Sequence, residues 1–169
     1  MYVISIDIII LLCYNIIYII LIRGVYLKAI SIQNPWAHMM LCGEKTIEAR
    51  SWKTEYRGDL LICSSAYPKI ENTIPGHALM VVELIDCVPF EKKHLEAACL
   101  TEIPDTPCYA WLLNNFRCIY PFKVKGRLKF FNIEDKQIKY YDVETEDEAD
   151  KWCRDYIVPL LYKKRGKKC

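Results

Sequence analysis

Ten consecutive residues combine a turn, a strand pattern and a cluster of charges: Gly43-Glu44-Lys45-Thr46-Ile47-Glu48-Ala49-Arg50-Ser51-Trp52. If they form a β-strand, alternate side chains share a face, so Thr46, Glu48, Arg50 and Trp52 lie opposite Ile47, Ala49 and Ser51. Lys45 stands at the mouth of this strand. A Lys, a Glu and an Arg clustered there suit an anionic or polar ligand. The alternative is a surface ion pair, which would stabilise the fold by only about 0–1 kcal/mol.

Further blocks surround this stretch in order. They are Ser31-Ile32-Gln33-Asn34-Pro35-Trp36-Ala37, Tyr56-Arg57-Gly58-Asp59-Leu60-Leu61-Ile62, Pro75-Gly76-His77-Ala78-Leu79-Met80-Val81-Val82-Glu83-Leu84-Ile85-Asp86-Cys87, Tyr109-Ala110-Trp111 and Pro121-Phe122-Lys123-Val124-Lys125-Gly126-Arg127-Leu128. Together they resemble the ASCH domain, whose pattern runs Q-x-P-W-A, then G-x-K-x-x-E-x-R, then R-G-x-L-x-I. The resemblance covers residues 26–133.

The resemblance implies an α+β fold, a small PUA-like β-barrel with short flanking helices, of the kind that binds RNA. We expect four regions: an apolar N-terminal segment (1–24), the ASCH barrel (25–133), an appended C-terminal helix (134–162) and a basic tail (163–169). Strands are predicted at 25–32, 59–65 and 78–88, and a helix at 36–42 between Pro35 and Gly43. Asn114-Asn115 predicts a turn between two more strands. A second helix, over 145–161, begins with a capping box of Thr145 and Glu148.

Composition narrows the functional classes. The chain has 169 residues, of which 53% are hydrophobic and 26% charged, so it is globular rather than disordered. The net charge of +2 predicts a local rather than a global footprint for any polyanion. The nine cysteines include no C-x-x-C pair, so we expect no metal site and no cofactor. Most cysteines are predicted to be buried small hydrophobes in a reducing compartment.

Residues 1–22 form a long apolar segment, nearly unbroken from position 8 to 22. Its length approaches the roughly 20 residues of a membrane helix. Arg23 and Lys28 follow it, so the positive-inside rule places the following domain in the cytoplasm. A buried strand or helix, or a translated extension without a role, are the alternatives. One functional hypothesis is therefore a membrane-tethered adaptor.

The leading hypothesis is a module that binds RNA or a modified nucleoside. Lys45 and Arg50 are expected to contact phosphate or a base carbonyl, and Glu48 to orient them or accept from an exocyclic amine. Stacking on a base is expected of Trp36 or Trp52. For Trp36 we favour the alternative, a plug of the barrel end, because a large aromatic residue in a first helix is usually part of the core. The other candidate ligand-binding residues are Thr46, Arg57 and Ser64, with Ser65 and Tyr67 beside it. Eukaryotic relatives of the ASCH domain occur in transcription coactivators, which fits a role in RNA metabolism or transcription-related regulation.

A second group of cations lies near the end of the family blocks: Lys123, Lys125, Arg127 and Lys129. They alternate, so an extended chain would present all four on one face. Such a stripe would track the phosphates of a nucleic acid. A solvated edge strand protected by lysines explains the pattern equally well.

An enzyme is the rival hypothesis. One branch of the superfamily is similar to amidohydrolases that deacetylate N4-acetylcytidine, and other members are described as ribonucleases. The amidohydrolase motif is G-x-K-x-x-T-x-R, which implies catalytic roles for its Lys and Thr. Lys45 matches the lysine, but Glu48 occupies the threonine position. Hydrolysis would then require another route, with Lys45 at a lowered pKa and Glu48 as general base.

Overall fold

The computed structural model describes residues 26–104 and 107–162. Within them, six strands form one mixed sheet in the order β2-β5-β4-β3-β1-β6. The pairing of β1 with β3 is parallel and the other ladders are antiparallel. The strands are β1 (Tyr26–Ile32), β2 (Ile47–Arg50), β3 (Gly58–Ser64), β4 (His77–Pro89), β5 (Tyr109–Lys123) and β6 (Phe130–Glu134).

Short helices flank the sheet. They are α1 (Trp36–Leu41), α2 (Leu95–Ala98), α3 (Glu146–Trp152) and α4 (Val158–Leu161), with 3-10 turns at Lys92–His94 and Asp135–Gln137 and a π-helical stretch at Cys153–Ile157. The predicted signals of α1 are confirmed: it follows Pro35, and Gly43 lies just beyond its end at φ +77°. Glycine adopts this left-handed conformation without the steric penalty that a Cβ would bring. The chain therefore leaves α1 and turns directly into β2.

The α+β fold predicted from the sequence is confirmed. β2 and β6 are the outer strands of the sheet, and no ladder joins them among the described residues. Their ends nevertheless come together around Trp52, whose ring packs edge-on against Phe130 of β6 at 5.2 Å and Trp111 of β5 at 4.6 Å between centroids. The sheet is therefore curled toward the predicted barrel, with an aromatic cluster between its edges.

Hydrophobic clusters lie on both faces of the sheet. β3 shows the alternation: Leu60 and Ile62 join one cluster, and Leu61 and Cys63 join the other. Because successive strand side chains point to opposite faces, a strand that is apolar throughout must be covered on both sides. Cys63 and Cys87 are buried, and burial raises the pKa of the Cys63 thiol to about 12. The other five described cysteines are exposed or partly exposed, so the prediction that most cysteines are buried is wrong for the described residues.

The turn predicted at Asn114-Asn115 is wrong. β5 runs through both residues as one long strand, and its pairing with β4 shifts register between Val81 and Glu83. Asn115 has φ +47°. Asparagine tolerates this conformation better than most residues, and a positive φ occurs at irregularities of a β-ladder as well as in turns.

The C-terminal helical region begins at the predicted capping box. The Glu148 amide donates to Thr145 Oγ1 at 3.3 Å, and the Thr145 amide donates to Glu148 Oε2 at 3.0 Å. Trp152 anchors the region, because its buried indole N–H donates to the carbonyl oxygen of Ile119 in β5 at 3.0 Å. Ile157 is buried beside the same core, whereas Cys153 is exposed.

No helix within residues 26–104 or 107–162 has the length and apolar character needed to cross a membrane. The apolar segment over 1–24 and the basic tail over 163–169 lie outside the described residues, and so does the membrane-anchor hypothesis that rests on the first of them.

Candidate functional site

A cleft of about 630 Å³ opens beside the start of β2 and the ends of β1 and β3. Its volume falls within the range of about 300–1,000 Å³ that is typical of ligand pockets. Of the described residues that line it, five are cationic and one is acidic. These six are Lys45, Arg50, Lys125, Arg127, Lys129 and Glu48.

Lys45 lies at the base of the cleft and is almost fully enclosed, with 2% of its surface exposed. Its Nζ donates to the carbonyl oxygen of Ala98 at 2.6 Å and lies 3.5 Å from Glu48 Oε2. A buried ammonium needs such partners, because removing a charge from water without them is costly. The turn after α1 fixes this position, since the Lys45 amide donates to the carbonyl oxygen of Met39 at 3.3 Å.

Glu48 links the two inner cations. Its second oxygen, Oε1, lies 3.0 Å from Arg50 Nε, although the Nε–H is not directed at it, so the contact is an ion pair without a hydrogen bond. Arg50 also donates through Nη2 to the carbonyl oxygen of Ser31 in β1 at 2.9 Å. Glu48 and Arg50 share one face of β2, as their spacing predicts. The three side chains therefore form a row, Lys45–Glu48–Arg50, which we call the inner row.

Burial and the neighbouring negative charge change the pKa of Lys45 in opposite directions. Burial lowers the pKa of its ammonium below the ordinary value of 10.5, and the neighbouring Glu48 carboxylate partly offsets that effect. The Lys45 proton is therefore held less tightly than that of an exposed lysine. A group of this kind either hydrogen-bonds a polar ligand or takes part in proton transfer.

The segment 124–129 forms the outer wall of the cleft and carries Lys125, Arg127 and Lys129. All three are exposed, and none of them is within ion-pair distance of a carboxylate of the described residues. The segment approaches β1 so closely at Gly126 that a Cβ at this position would overlap Ser31 Oγ. The absence of a side chain at Gly126 therefore permits this contact. These three cations form the outer segment of the site.

A match to the family model described as "ASCH domain" covers residues 30–152. The chain belongs to the ASCH domain family. The match includes every residue of the cleft and continues through α3 to Trp152.

Two curated relatives are both named activating signal cointegrator 1. The human protein is 25% identical and the mouse protein 23% identical, each over 63% of this chain. The chain spans only 22% of the length of each relative, so the similarity concerns one part of those proteins.

Solved ASCH structures from Zymomonas mobilis share the fold. One superimposes with a TM-score of 0.53 and 15% identity, covering 65% of this chain and 89% of that structure. A point variant of the same protein gives a TM-score of 0.50 over 75% of this chain. At this identity the likeness concerns the fold alone.

Four of the residues predicted for the ASCH site lie outside the lining of the cleft. Thr46 is bonded through its backbone to Ala97 and Leu113, and Trp52 packs in the aromatic cluster. Arg57 pairs with Asp86 at 2.6 Å. The hydroxyl of Ser64 donates to the carbonyl oxygen of Ile74 and accepts from the His77 amide at 3.1 Å. Each of these residues makes a hydrogen bond, an ion pair or a packing contact within the fold.

Trp36 is consistent with both of its predicted roles. It lines the cleft, as a stacking residue would, and it packs against the main core, as a plug of the barrel end would. Lys123 is exposed on β5 but outside the lining, and the segment that follows it is not a strand, so the four-cation stripe is reduced to three residues at the cleft.

Sequence reasoning missed Ser31 as a site residue. Its hydroxyl is buried, lines the cleft and has no hydrogen-bond partner among the described residues. Ser65, Ala66 and Tyr67 form the adjacent wall. The sequence predicts the hydroxyls of Ser65 and Tyr67 there, from their position at the end of β3, but not Ala66. Ser31 stands in the first family block, which is the only signal that points to it.

Proposed function

We propose that this ASCH protein binds RNA or a modified nucleoside in the cleft, in the service of RNA metabolism or transcription-related regulation. One observation carries the proposal: the inner row and the outer segment, which are far apart in sequence, meet in one cleft where five cations face a single carboxylate. On a chain whose net charge is only +2, such a concentration favours an anionic ligand.

The two groups of cations suit different parts of a nucleotide. Arg50 and Lys45 are fixed by Glu48 and by backbone carbonyls, so they can orient a base carbonyl or a phosphate with little loss of side-chain entropy. The exposed lysines and arginine of the outer segment suit the flexible phosphate backbone. The free hydroxyl of Ser31 adds a donor and acceptor for a ribose or base.

Binding is tested by fluorescence anisotropy with a labelled pool of short single-stranded RNA and the full chain. We expect Lys45→Ala and Lys125→Ala to weaken binding, and the affinity to fall with added salt. Lys125 is exposed, so its variant tests the cleft without disturbing the core. Lys92→Ala is the matched control, since Lys92 is an exposed lysine outside the cleft. Equal affinities of all three variants and the wild type would refute the proposal.

Hydrolysis of a modified nucleoside is the second candidate, because burial lowers the pKa of Lys45 next to a carboxylate. In this scheme Glu48 accepts a proton from the water that attacks the acetyl carbonyl, and Lys45 stabilises the developing negative charge. The C–N bond then breaks, and Glu48 returns the proton to N4, so that the products are acetate and cytidine. The protein would release acetate from N4-acetylcytidine, and Glu48→Gln, assayed under conditions in which urea unfolding shows that it remains folded, would abolish turnover but retain ligand. Retention of ligand by the wild type without acetate release would leave a binding module and exclude this reaction.

A further inference from the structure

Tyr67 is a large aromatic side chain at the mouth of the cleft with 69% of its surface exposed. Tyrosine is usually half buried, with its ring packed on apolar neighbours. An exposed ring beside a row of cations is instead typical of surfaces that bind single-stranded nucleic acid. The ring therefore calls for a functional explanation.

The backbone beneath this ring is held in place. Ser65 Oγ donates to the carbonyl oxygen of Tyr67 at 2.6 Å and accepts from its amide at 3.3 Å. The Ser65 amide in turn donates to the carbonyl oxygen of Ile32, at the end of β1, at 2.7 Å. The turn that carries Tyr67 is thus tied to the same strand that supplies Ser31 to the cleft. A ring positioned in this way can receive a ligand with little ordering of the chain.

One side of the ring already has a cation. Lys69 Nζ lies 5.4 Å from the ring centroid, and no other cation or aromatic ring of the described residues packs on Tyr67. This leaves an exposed ring surface for a stacked base. Lys69, like the outer segment, adds positive charge where the phosphate of such a nucleotide would lie.

We propose that Tyr67 forms a second subsite, on which the base of the nucleotide next to the one in the inner row stacks. This inference rests on the proposed function and narrows it, because a ligand that occupies both subsites is a strand of at least two nucleotides. The ligand is then single-stranded RNA and not a free nucleoside. Stacking on Tyr67 tolerates any base, so the second subsite supplies affinity and the inner row supplies selectivity.

The test compares a mononucleotide with a tetranucleotide of the same base as ligands of the full chain. Tyr67→Ala should weaken tetranucleotide binding by about 5- to 150-fold, the range measured for one stacked base, and leave mononucleotide binding unchanged. Tyr67→Phe should keep the affinity of the wild type, because the ring and not the hydroxyl makes the contact. Tyr162→Ala is the matched control, since Tyr162 is 71% exposed and lies outside the cleft.

The outcomes separate this inference from the proposed function. If Lys125→Ala weakens tetranucleotide binding but Tyr67→Ala does not, the cleft binds RNA and the second subsite is refuted. The subsite is also refuted if Tyr67→Ala weakens mononucleotide and tetranucleotide equally. If neither substitution changes any affinity, the proposed function itself fails.

Discussion

Replacing Glu48 with glutamine should destabilise the protein strongly, because it leaves two cations of the inner row without their carboxylate. Only 2% of the Lys45 side chain and 10% of the Glu48 side chain are exposed. Removing one partner of such a buried pair typically costs about 3–5 kcal/mol, since the remaining charge is left without compensation in a poorly solvated site. Glutamine has nearly the same shape as glutamate, so loss of packing contributes little to the expected change.

The deficit should depend on pH in a defined direction. Burial lowers the folded-state pKa of Lys45 below its ordinary value of 10.5, and the negative charge of Glu48 is the main effect that raises it again. Between the lowered pKa and 10.5 the unfolded chain binds more protons than the folded protein, so stability rises with pH across that window. In Glu48→Gln the folded pKa falls further. The variant therefore loses most at pH values where Lys45 is charged in both folded proteins, and the difference narrows as pH rises from the folded-state pKa of Lys45 in the variant to its folded-state pKa in the wild type, which lies below 10.5.

Urea unfolding of wild type and variant at a series of pH values up to 10 measures this prediction. The matched control is Glu55→Gln, which breaks the exposed pair of Lys53 and Glu55 and should leave the unfolding midpoint unchanged. A deficit below about 1 kcal/mol at neutral pH would show that the inner row behaves as a surface ion pair. A deficit that does not narrow with rising pH would show that the charge of Lys45 is not its cause.

Two further predictions concern the wall and the support of the site. Gly126→Ala should weaken RNA binding in the anisotropy assay, because its Cβ overlaps Ser31 Oγ and pushes the outer segment away from β1. Ser31→Ala removes that oxygen together with a proposed ligand contact, so Gly126→Ala is also measured in the Ser31→Ala background, where it should cost less affinity than in the wild type; an equal loss in both backgrounds would refute this steric explanation. Trp152→Ala should lower the free energy of unfolding by about 3–5 kcal/mol, because it removes a buried ring and the hydrogen bond to Ile119. A loss below about 1 kcal/mol in urea unfolding would mean that the C-terminal helical region is only loosely attached.

The parts of the fold that the sequence predicted correctly are those set by local signals. Pro35 and Gly43 bracket α1, and Thr145 with Glu148 begins α3, because caps depend on residues only a few positions apart. The prediction at Asn114-Asn115 is wrong because asparagine favours a positive φ both in turns and at irregular positions of a strand. Only the pairing of β5 with β4 decides between a turn and an irregular strand, and that pairing joins distant segments.

The site residues, like the fold, were predictable only where a local pattern determines their position. Glu48 and Arg50 share a face because both lie within β2, whereas Thr46 precedes that strand and Trp52 follows it. Alternation of faces holds only inside a strand, so it does not extend to those two residues, and neither of them lines the cleft. The role of Gly126 beside Ser31 could not be read from the sequence, because it depends on a contact between segments nearly a hundred residues apart.

The distribution of charge gives the two walls of the cleft different tasks toward the proposed ligand. Within the inner row, Glu48 compensates one of two cations, and the hydrogen bonds of Lys45 and Arg50 to carbonyl oxygens fix their directions. Fixed, partly compensated groups discriminate between ligands because a mismatched partner leaves them unpaired. None of the three cations of the outer segment is within ion-pair distance of a carboxylate of the described residues, so they attract phosphate without a fixed geometry. Salt should therefore act mainly through the outer segment, and the identity of the base should be read by the inner row.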